Sequence, residues 1–117
     1  MKTGFYFIVA SQQDRNGDYH NLPLLQEGSY EMKGKLFIHR KIEDSWDVRG
    51  WKVSHTKSGG SISSNLSLRQ ARKVANRLQG FELWDIDKYC DMKHAIHSDP
   101  KYANEVKQIK LLKNPTS

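Results

Sequence analysis

The chain is poor in the features that mark exported, disulfide-stapled or membrane-spanning proteins. Its 117 residues include one cysteine, Cys90, which cannot form an internal disulfide and is typical of a reducing compartment. The longest apolar run, residues 5–10, is far shorter than the ~20 residues that cross a bilayer, and no small-residue cleavage site follows it. We therefore expect a cytoplasmic protein without membrane contact.

Acidic residues are also in short supply. Thirteen aspartates and glutamates stand against 19 lysines and arginines, which gives a formal net charge of +6. The 37% of hydrophobic residues can supply one core at this length. The sequence therefore predicts a single domain over 1–117, β-rich over 1–66 and α-helical over 67–113. A basic domain of this kind favours an anionic partner.

The first part of the chain carries strand and turn patterns. Five consecutive β-branched or aromatic residues, 5–9, predict a buried strand. Asn16-Gly17 then predicts a hairpin tip. A strand over 19–25 should be short or lie at a sheet edge, because Pro23 lacks the N–H that a partner strand would use.

Three further segments, 36–40, 48–55 and 61–64, predict a three-stranded antiparallel meander. Alternation along the second segment places Trp51, Val53 and His55 on one face of the sheet, where Arg49 would join them. Lys52 and Ser54 then face the opposite side.

The meander also holds a group of candidate binding residues. Arg49 and Lys52 flank Trp51, and such a mixture of cations and an aromatic ring suits a surface that contacts phosphates and bases. We take these three as secondary binding residues. The alternative for Trp51 is a place in the core, since a tryptophan among alternating apolar residues is most often buried.

Helical patterns begin at Ser67, which forms a capping box with Gln70. Gly80 closes this first helix, and a second is predicted over 86–97 with Asp85 as its N-cap. A third begins at Asp99-Pro100 and ends at Asn114-Pro115, and its apolar stripe consists of Tyr102, Val106, Ile109 and Leu112. Strands followed by helices predict an α+β fold, an antiparallel sheet with three helices packed on one face.

The first helix has one apolar and one cationic face. At about 100° per residue, the apolar arc collects Leu68, Ala71, Val74, Ala75 and Leu78. The opposite arc collects Arg69, Arg72, Lys73 and Arg77, with no acid among them. Solvated faces usually mix signs, so this face predicts contacts to an external polyanion. The alternative is an ordinary solvated face, or one covered by Asp85, Asp87 and Asp91 of this same chain.

One resemblance follows from the order of these elements. Trp51-Lys52-Val53, then Ser58-Gly59-Gly60, then Ser67 to Ala75 are typical of a strand, a glycine turn and a capped helix. Over residues 35–80 the chain resembles the three-stranded-sheet-plus-helix DNA-binding modules of phage-type integrases and AP2-like domains. The resemblance implies a sheet laid in the major groove and braced by the helix. In this chain the helix is the more basic element.

Patterns for catalysis or metal binding are sparse. Cys90, His94 and His97 share one helical stripe, but no second Cys/His pair accompanies them, so we expect no metal and no cofactor. His39 and His55 lie on neighbouring predicted strands and would form an acid–base pair for RNA cleavage if the register brought them together.

The favoured function is a small non-enzymatic module that contacts nucleic acid or a nucleoprotein through the first helix. An alternative is a protein-interaction factor, such as a phage or mobile-element inhibitor or accessory protein, whose basic helix docks on a larger nucleic-acid-handling machine. A small ribonuclease or nuclease is the third candidate. The sequence does not distinguish DNA, RNA and protein as the partner.

Overall fold

A five-stranded antiparallel sheet followed by three α-helices is seen in a computed structural model, which describes residues 2–41 and 50–112. The strands, which pair in chain order, are β1 (Lys2–Gln13), β2 (Tyr19–Lys33), β3 (Leu36–Lys41), β4 (Trp51–His55) and β5 (Ser61–Leu66). The helices are α1 (Leu68–Leu78), α2 (Tyr89–Ser98) and α3 (Ala103–Leu112), with 3-10 turns at Glu82–Asp85 and Pro100–Tyr102. The predicted α+β class is confirmed.

The main core lies between one face of the sheet and the helices. Alternation along β3 turns Leu36 and Ile38 toward α1, and both are fully buried. The same face of β4 carries the three residues that the sequence assigned to it, Trp51, Val53 and His55, all buried. The predicted alternation in the meander is therefore confirmed.

The opposite face of the sheet holds a smaller cluster of buried rings. Tyr6 and Phe37 each lie with their ring centroid 4.8 Å from the imidazole of His39. The sheet curls around this cluster, because the free edge of β1 meets the β4–β5 turn, where the Val9 N–H donates to the carbonyl of Gly59 at 2.9 Å. Gly59 has a φ of +72°, and a Cβ there would lie 3.1 Å from the Val9 nitrogen, so the closure requires glycine.

Part of the β1–β2 hairpin extends beyond the rest of the sheet. β3 pairs with Gly28–Lys33 of β2, so residues 5–13 and 19–27 pair only with each other among the described strands. We call this part the ribbon. The predicted hairpin tip is confirmed, with Gly17 at a φ of +87°. β2 is 15 residues long, not short, but Pro23 lies in the ribbon, where one side of β2 needs no N–H donor.

The strand predicted over 5–9 is confirmed as part of β1, but the prediction that it is buried is wrong. Tyr6 is buried, but Phe5 and Phe7 point to the other side of β1 and are each 63% exposed. The reason is that α1 packs mainly over β3, β4 and β5.

The N-terminal ends of two of the three helices match the predictions. Ser67 and Gln70 form the expected capping box, and the Asp99 carboxylate accepts a hydrogen bond from the Lys101 amide at 3.0 Å beside Pro100. The second helix begins at Tyr89 without an Asp85 cap, because Asp85 ends the preceding 3-10 turn and pairs with Lys35. The apolar stripe of α3 packs as predicted through Tyr102, Ile109 and Leu112 against the core and through buried Val106. The predicted stop at Asn114-Pro115 lies outside the described residues.

Candidate nucleic-acid interface

The candidate interface is built on α1, whose position is fixed at both ends. The Ser67 hydroxyl accepts from the Gln70 amide at 3.2 Å, and the Gln70 side chain accepts from the Ser67 amide at 3.0 Å. At the other end, the Trp84 indole N–H donates to the carbonyl of Leu78. The inward residues are buried, namely Gln70, Ala71, Val74, Ala75 and Leu78. The outward residues are exposed, namely Arg69, Arg72, Lys73, Asn76 and Arg77.

Arg72 differs from the other three cations because it has a partner in the sheet. Its Nε–H donates to a carboxylate oxygen of Glu31 on β2 at 3.0 Å. This hydrogen bond, made by Arg72, holds the pKa of Glu31 below its ordinary value. The expectation that all four cations lack a counter-carboxylate is therefore wrong for Arg72. Its partner lies 41 residues away in sequence, so no local pattern could show it.

Arg69, Lys73 and Arg77 have no hydrogen bond or ion pair within the described part of the chain. Arg69 also lies in the first turn of α1, where the helix dipole disfavours a cation and no acid is present. Arg77, by contrast, lies in the last turn, where the dipole favours a cation. None of the three has an anionic partner among the described residues, so all remain available to an external anion.

Two of the three aspartates that the alternative assigns to this face pair with lysines elsewhere. Asp85 pairs with Lys35, and Asp87 lies 3.1 Å from the ammonium of Lys57. Asp91 is exposed on α2. The alternative in which Asp85 and Asp87 neutralise α1 is therefore wrong.

The secondary binding residues of the meander do not join the α1 face. Trp51 is 8% exposed and belongs to the core, with the Arg40 guanidinium 5.4 Å from its ring centroid. Lys52 projects from the face of β4 opposite α1, beside His39 on β3. Arg49 lies outside the described residues. The structure thus groups the four α1 cations and separates them from Trp51 and Lys52.

The predicted acid–base pair of His39 and His55 is wrong. His39 stands opposite Lys52 and His55 opposite Leu36, so the two imidazoles lie on opposite faces of the sheet. His55 is engaged in structural bonds: Nε2–H donates to the Trp84 carbonyl at 2.7 Å, and Nδ1 accepts from Ser58. Burial lowers the pKa values of both histidines, so each is neutral at pH 7.

A cavity of about 310 Å³ lies between the β4–β5 turn, the 82–85 turn, α2 and α3. Most of its wall is apolar, and no carboxylate of the described residues lines it. Elsewhere, residues 2–41 and 50–112 contain no group of three His, Cys, Asp or Glu side chains that could hold a metal ion. Cys90, His94 and His97 are all exposed on α2.

The sequence analysis missed the exposed aromatic face of the ribbon. Phe5 and Phe7 share this face with Leu25, which pairs with Phe7 across the two strands. The alternation was hidden because the intervening Tyr6 and Ile8 are also apolar, so the run showed no contrast between its two faces.

Comparison of the chain with protein-family models, with curated proteins and with solved structures found no match. Within the described residues, every helix is too short or too polar to cross a membrane. Function is therefore inferred from the α1 face and its surroundings.

Proposed function

We propose that this protein is a small non-enzymatic module that binds nucleic acid through the exposed face of α1. The observation that carries the proposal is that Arg69, Lys73 and Arg77 lack partners in the described structure while the nearby Asp85 and Asp87 pair with other lysines. A free, exposed Cys90 is consistent with a reducing compartment, so we place this activity in the cytoplasm.

Electrostatics favours a polyanion over a small anion on this face. Arg69, Lys73 and Arg77 are spaced at i and i+4 along α1, and each such like-charge contact costs tenths of a kcal/mol. A chain of phosphates relieves these repulsions together and gains the entropy of the counterions it releases. Because the contacts are to phosphates, this face positions the nucleic acid without reading its sequence.

The test is the salt dependence of binding, measured by fluorescence anisotropy with labelled oligonucleotides. If three phosphates are contacted on a duplex, affinity should fall about 40-fold between about 50 and 200 mM salt. The variant Arg69→Gln/Lys73→Gln/Arg77→Gln should lose most of that slope and bind at least about tenfold more weakly at the lower salt. Circular dichroism should show an unchanged fold, since all three side chains are exposed.

A matched control removes the same charge elsewhere. Lys93→Gln/Lys107→Gln/Lys110→Gln changes three exposed lysines of α2 and α3. We expect this variant to keep most of the affinity and most of the salt slope. Equal losses in the two triple variants would show that binding follows net charge, and the assignment to α1 would be wrong.

Substitution of Glu31 should have the opposite effect, a rise in affinity for the oligonucleotide. Glu31→Gln removes the carboxylate that holds Arg72 and leaves a fourth cation on α1 free. Affinity for an oligonucleotide should rise about two- to threefold at low salt, while stability should fall by less than about 1 kcal/mol, since the pair is partly exposed. Anisotropy titrations and urea unfolding check the two effects, and a lower affinity would contradict the prediction.

The protein-interaction alternative uses the same cations against an acidic protein surface. A dominant partner protein that survives nuclease treatment in a pull-down, together with no oligonucleotide binding at low salt, would favour that function over the one proposed here.

A further inference from the structure

The cavity between the β4–β5 turn, the 82–85 turn, α2 and α3 has an apolar interior. Its volume of about 310 Å³ lies at the lower end of the range for small-molecule sites, roughly 300 to 1,000 Å³. The apolar side chains that form the interior are buried or half-buried, namely Ile62, Trp84, Met92, Ile96, Val106 and Ile109. Because protein interiors are packed with few voids larger than a water molecule, a cavity of this size can hold a ligand.

The buried polar side chains in the wall of this cavity are already hydrogen-bonded within the protein. His55 Nδ1 lies 2.8 Å from the Ser58 hydroxyl, and His55 Nε2 lies 2.7 Å from the carbonyl oxygen of Trp84. The Ser58 hydroxyl also accepts from the Gly60 amide at 3.1 Å. Neither of the two buried side-chain atoms that lack a partner in the described residues lies in this wall. The interior therefore suits the apolar part of a ligand and asks for no polar group there.

The mouth of the cavity is basic. Four of the residues that line the cavity are exposed, namely Ser61, Lys93, His97 and Lys110. Lys93 belongs to α2 and Lys110 to α3, so two elements each bring a cation to the opening. Both lysines have no hydrogen bond or ion pair within the described part of the chain. The mouth thus offers two positive charges and several donors to an anionic group.

The carboxylates of the surrounding elements do not offset these charges. All of them lie outside the lining of the cavity, namely Glu82, Asp85, Asp87, Asp91, Asp99 and Glu105. Glu105 accepts from the backbone amides of residues 82 and 83, each at 3.0 Å, and Asp99 accepts from the amide of residue 101. Asp87 lies 3.1 Å from the Lys57 ammonium. At about 100° per residue, Asp91 lies on the side of α2 opposite the residues that line the cavity.

We infer that this cavity binds a small amphipathic carboxylate, whose apolar body fills the interior while its charged group lies against Lys93 and Lys110 at the mouth. Burying a carboxylate is costly unless cations and donors compensate, and at the mouth it keeps both the lysines and part of its water. A neutral apolar ligand would gain the same interior contacts but no charge-assisted hydrogen bond. The site is separate from α1, and the inference does not depend on the proposed function.

The test compares octanoate with octanol, which have alkyl chains of similar length and differ in charge. Both are titrated into the protein and followed by amide NMR shifts, which should move at Gly60, Ile62 and Ile96. Wild-type protein should bind octanoate at least about fivefold more tightly than octanol. Lys93→Gln/Lys110→Gln should remove this preference and leave the affinity for octanol within about twofold. This variant should fold normally, since both side chains are exposed.

Two further variants show whether the ligand lies in this cavity. Lys73→Gln/Arg77→Gln removes the same charge from exposed positions of α1 and should keep the preference for octanoate. Ile96→Phe enlarges a half-buried side chain of the interior and should weaken the binding of both ligands at least about fivefold. Circular dichroism checks that each variant is folded.

Four results would overturn the inference. Wild-type protein might bind neither ligand, or it might bind octanol as tightly as octanoate. An equal loss of preference in Lys73→Gln/Arg77→Gln would assign the preference to net charge. Unchanged binding of both ligands in folded Ile96→Phe would place them outside this cavity. Oligonucleotide binding is tested separately, because Lys93 and Lys110 are also changed in the triple lysine variant that should keep it.

Discussion

Acidification from pH 7 to pH 3 should destabilise the protein by about 4 to 5 kcal/mol through His39 alone. Burial lowers the pKa of His39 from 6.5 to about 3, and the nearby charge of Lys52 acts in the same direction. The unfolded chain therefore takes up a proton as the pH falls through 6.5, and the folded chain does not until about pH 3. The stabilisation is fully present above pH 6.5 and is lost progressively across this window. The free energy of unfolding of a domain is about 5 to 15 kcal/mol, so this loss is a large part of it.

The surroundings of His39 explain why it stays neutral. Its side chain is 2% exposed, between the rings of Tyr6 and Phe37. Nε2 forms a 2.7 Å hydrogen bond with the Ser54 hydroxyl, whereas Nδ1 has no partner among the described residues. A protonated imidazole here would carry a charge with an unsatisfied N–H, in contact with rings and close to Lys52.

Urea unfolding at about pH 7, 6, 5, 4 and 3 measures this effect. The control is His39→Phe/Ser54→Ala, which replaces both hydrogen-bonding partners with apolar groups and leaves neither unsatisfied. Its stability should depend much less on pH than that of the wild type. A smaller acid dependence should remain, because burial also lowers the pKa of His55. If the double variant and the wild type lose stability equally on acidification, His39 is not the source.

The parts of the fold that the sequence could predict are those fixed by local patterns. The Ser67 capping box, the Asn16-Gly17 tip and the alternation of Trp51 and Val53 each involve residues close together in the chain. Their outcomes depend on backbone geometry and on which face is apolar, and both are visible in sequence.

The parts that it could not predict depend on contacts between distant segments. The run 5–9 is apolar on both faces, so its exposure depends on where distant elements pack, and α1 packs mainly on β3, β4 and β5. Likewise, Asp85 has the right residue type for an N-cap but is drawn to Lys35, and Arg72 is held by Glu31. For the candidate site, the cationic arc of α1 was predictable. The ion pair between Arg72 and Glu31 and the exposure of the ribbon aromatics were not.

Trp84→Ala should cost about 3 to 5 kcal/mol of stability. The ring is fully buried, stacks on Phe81 with centroids 6.0 Å apart and lies 5.4 Å from the imidazole of His55. Its N–H donates to the carbonyl of Leu78, one of the last carbonyls of α1 and one without a partner within the helix. The substitution therefore creates a cavity and leaves the Leu78 carbonyl with only its longer hydrogen bond, from the Phe81 amide at 3.3 Å.

Trp84→Phe separates the two contributions, because it keeps an aromatic ring and removes the N–H. It should cost about 1 to 2 kcal/mol in urea unfolding followed by circular dichroism. A loss of less than about 1 kcal/mol in Trp84→Ala would contradict the role given to this ring. Trp84 bonds to the backbone of α1 at Leu78. Lys73 and Arg69 lie five and nine residues before Leu78, and the side chain of Arg77, which directly precedes it, is exposed on the outward face. At a temperature where Trp84→Ala is folded, its affinity for an oligonucleotide should therefore stay within about twofold of wild type, since the ring stabilises the scaffold and not the binding face.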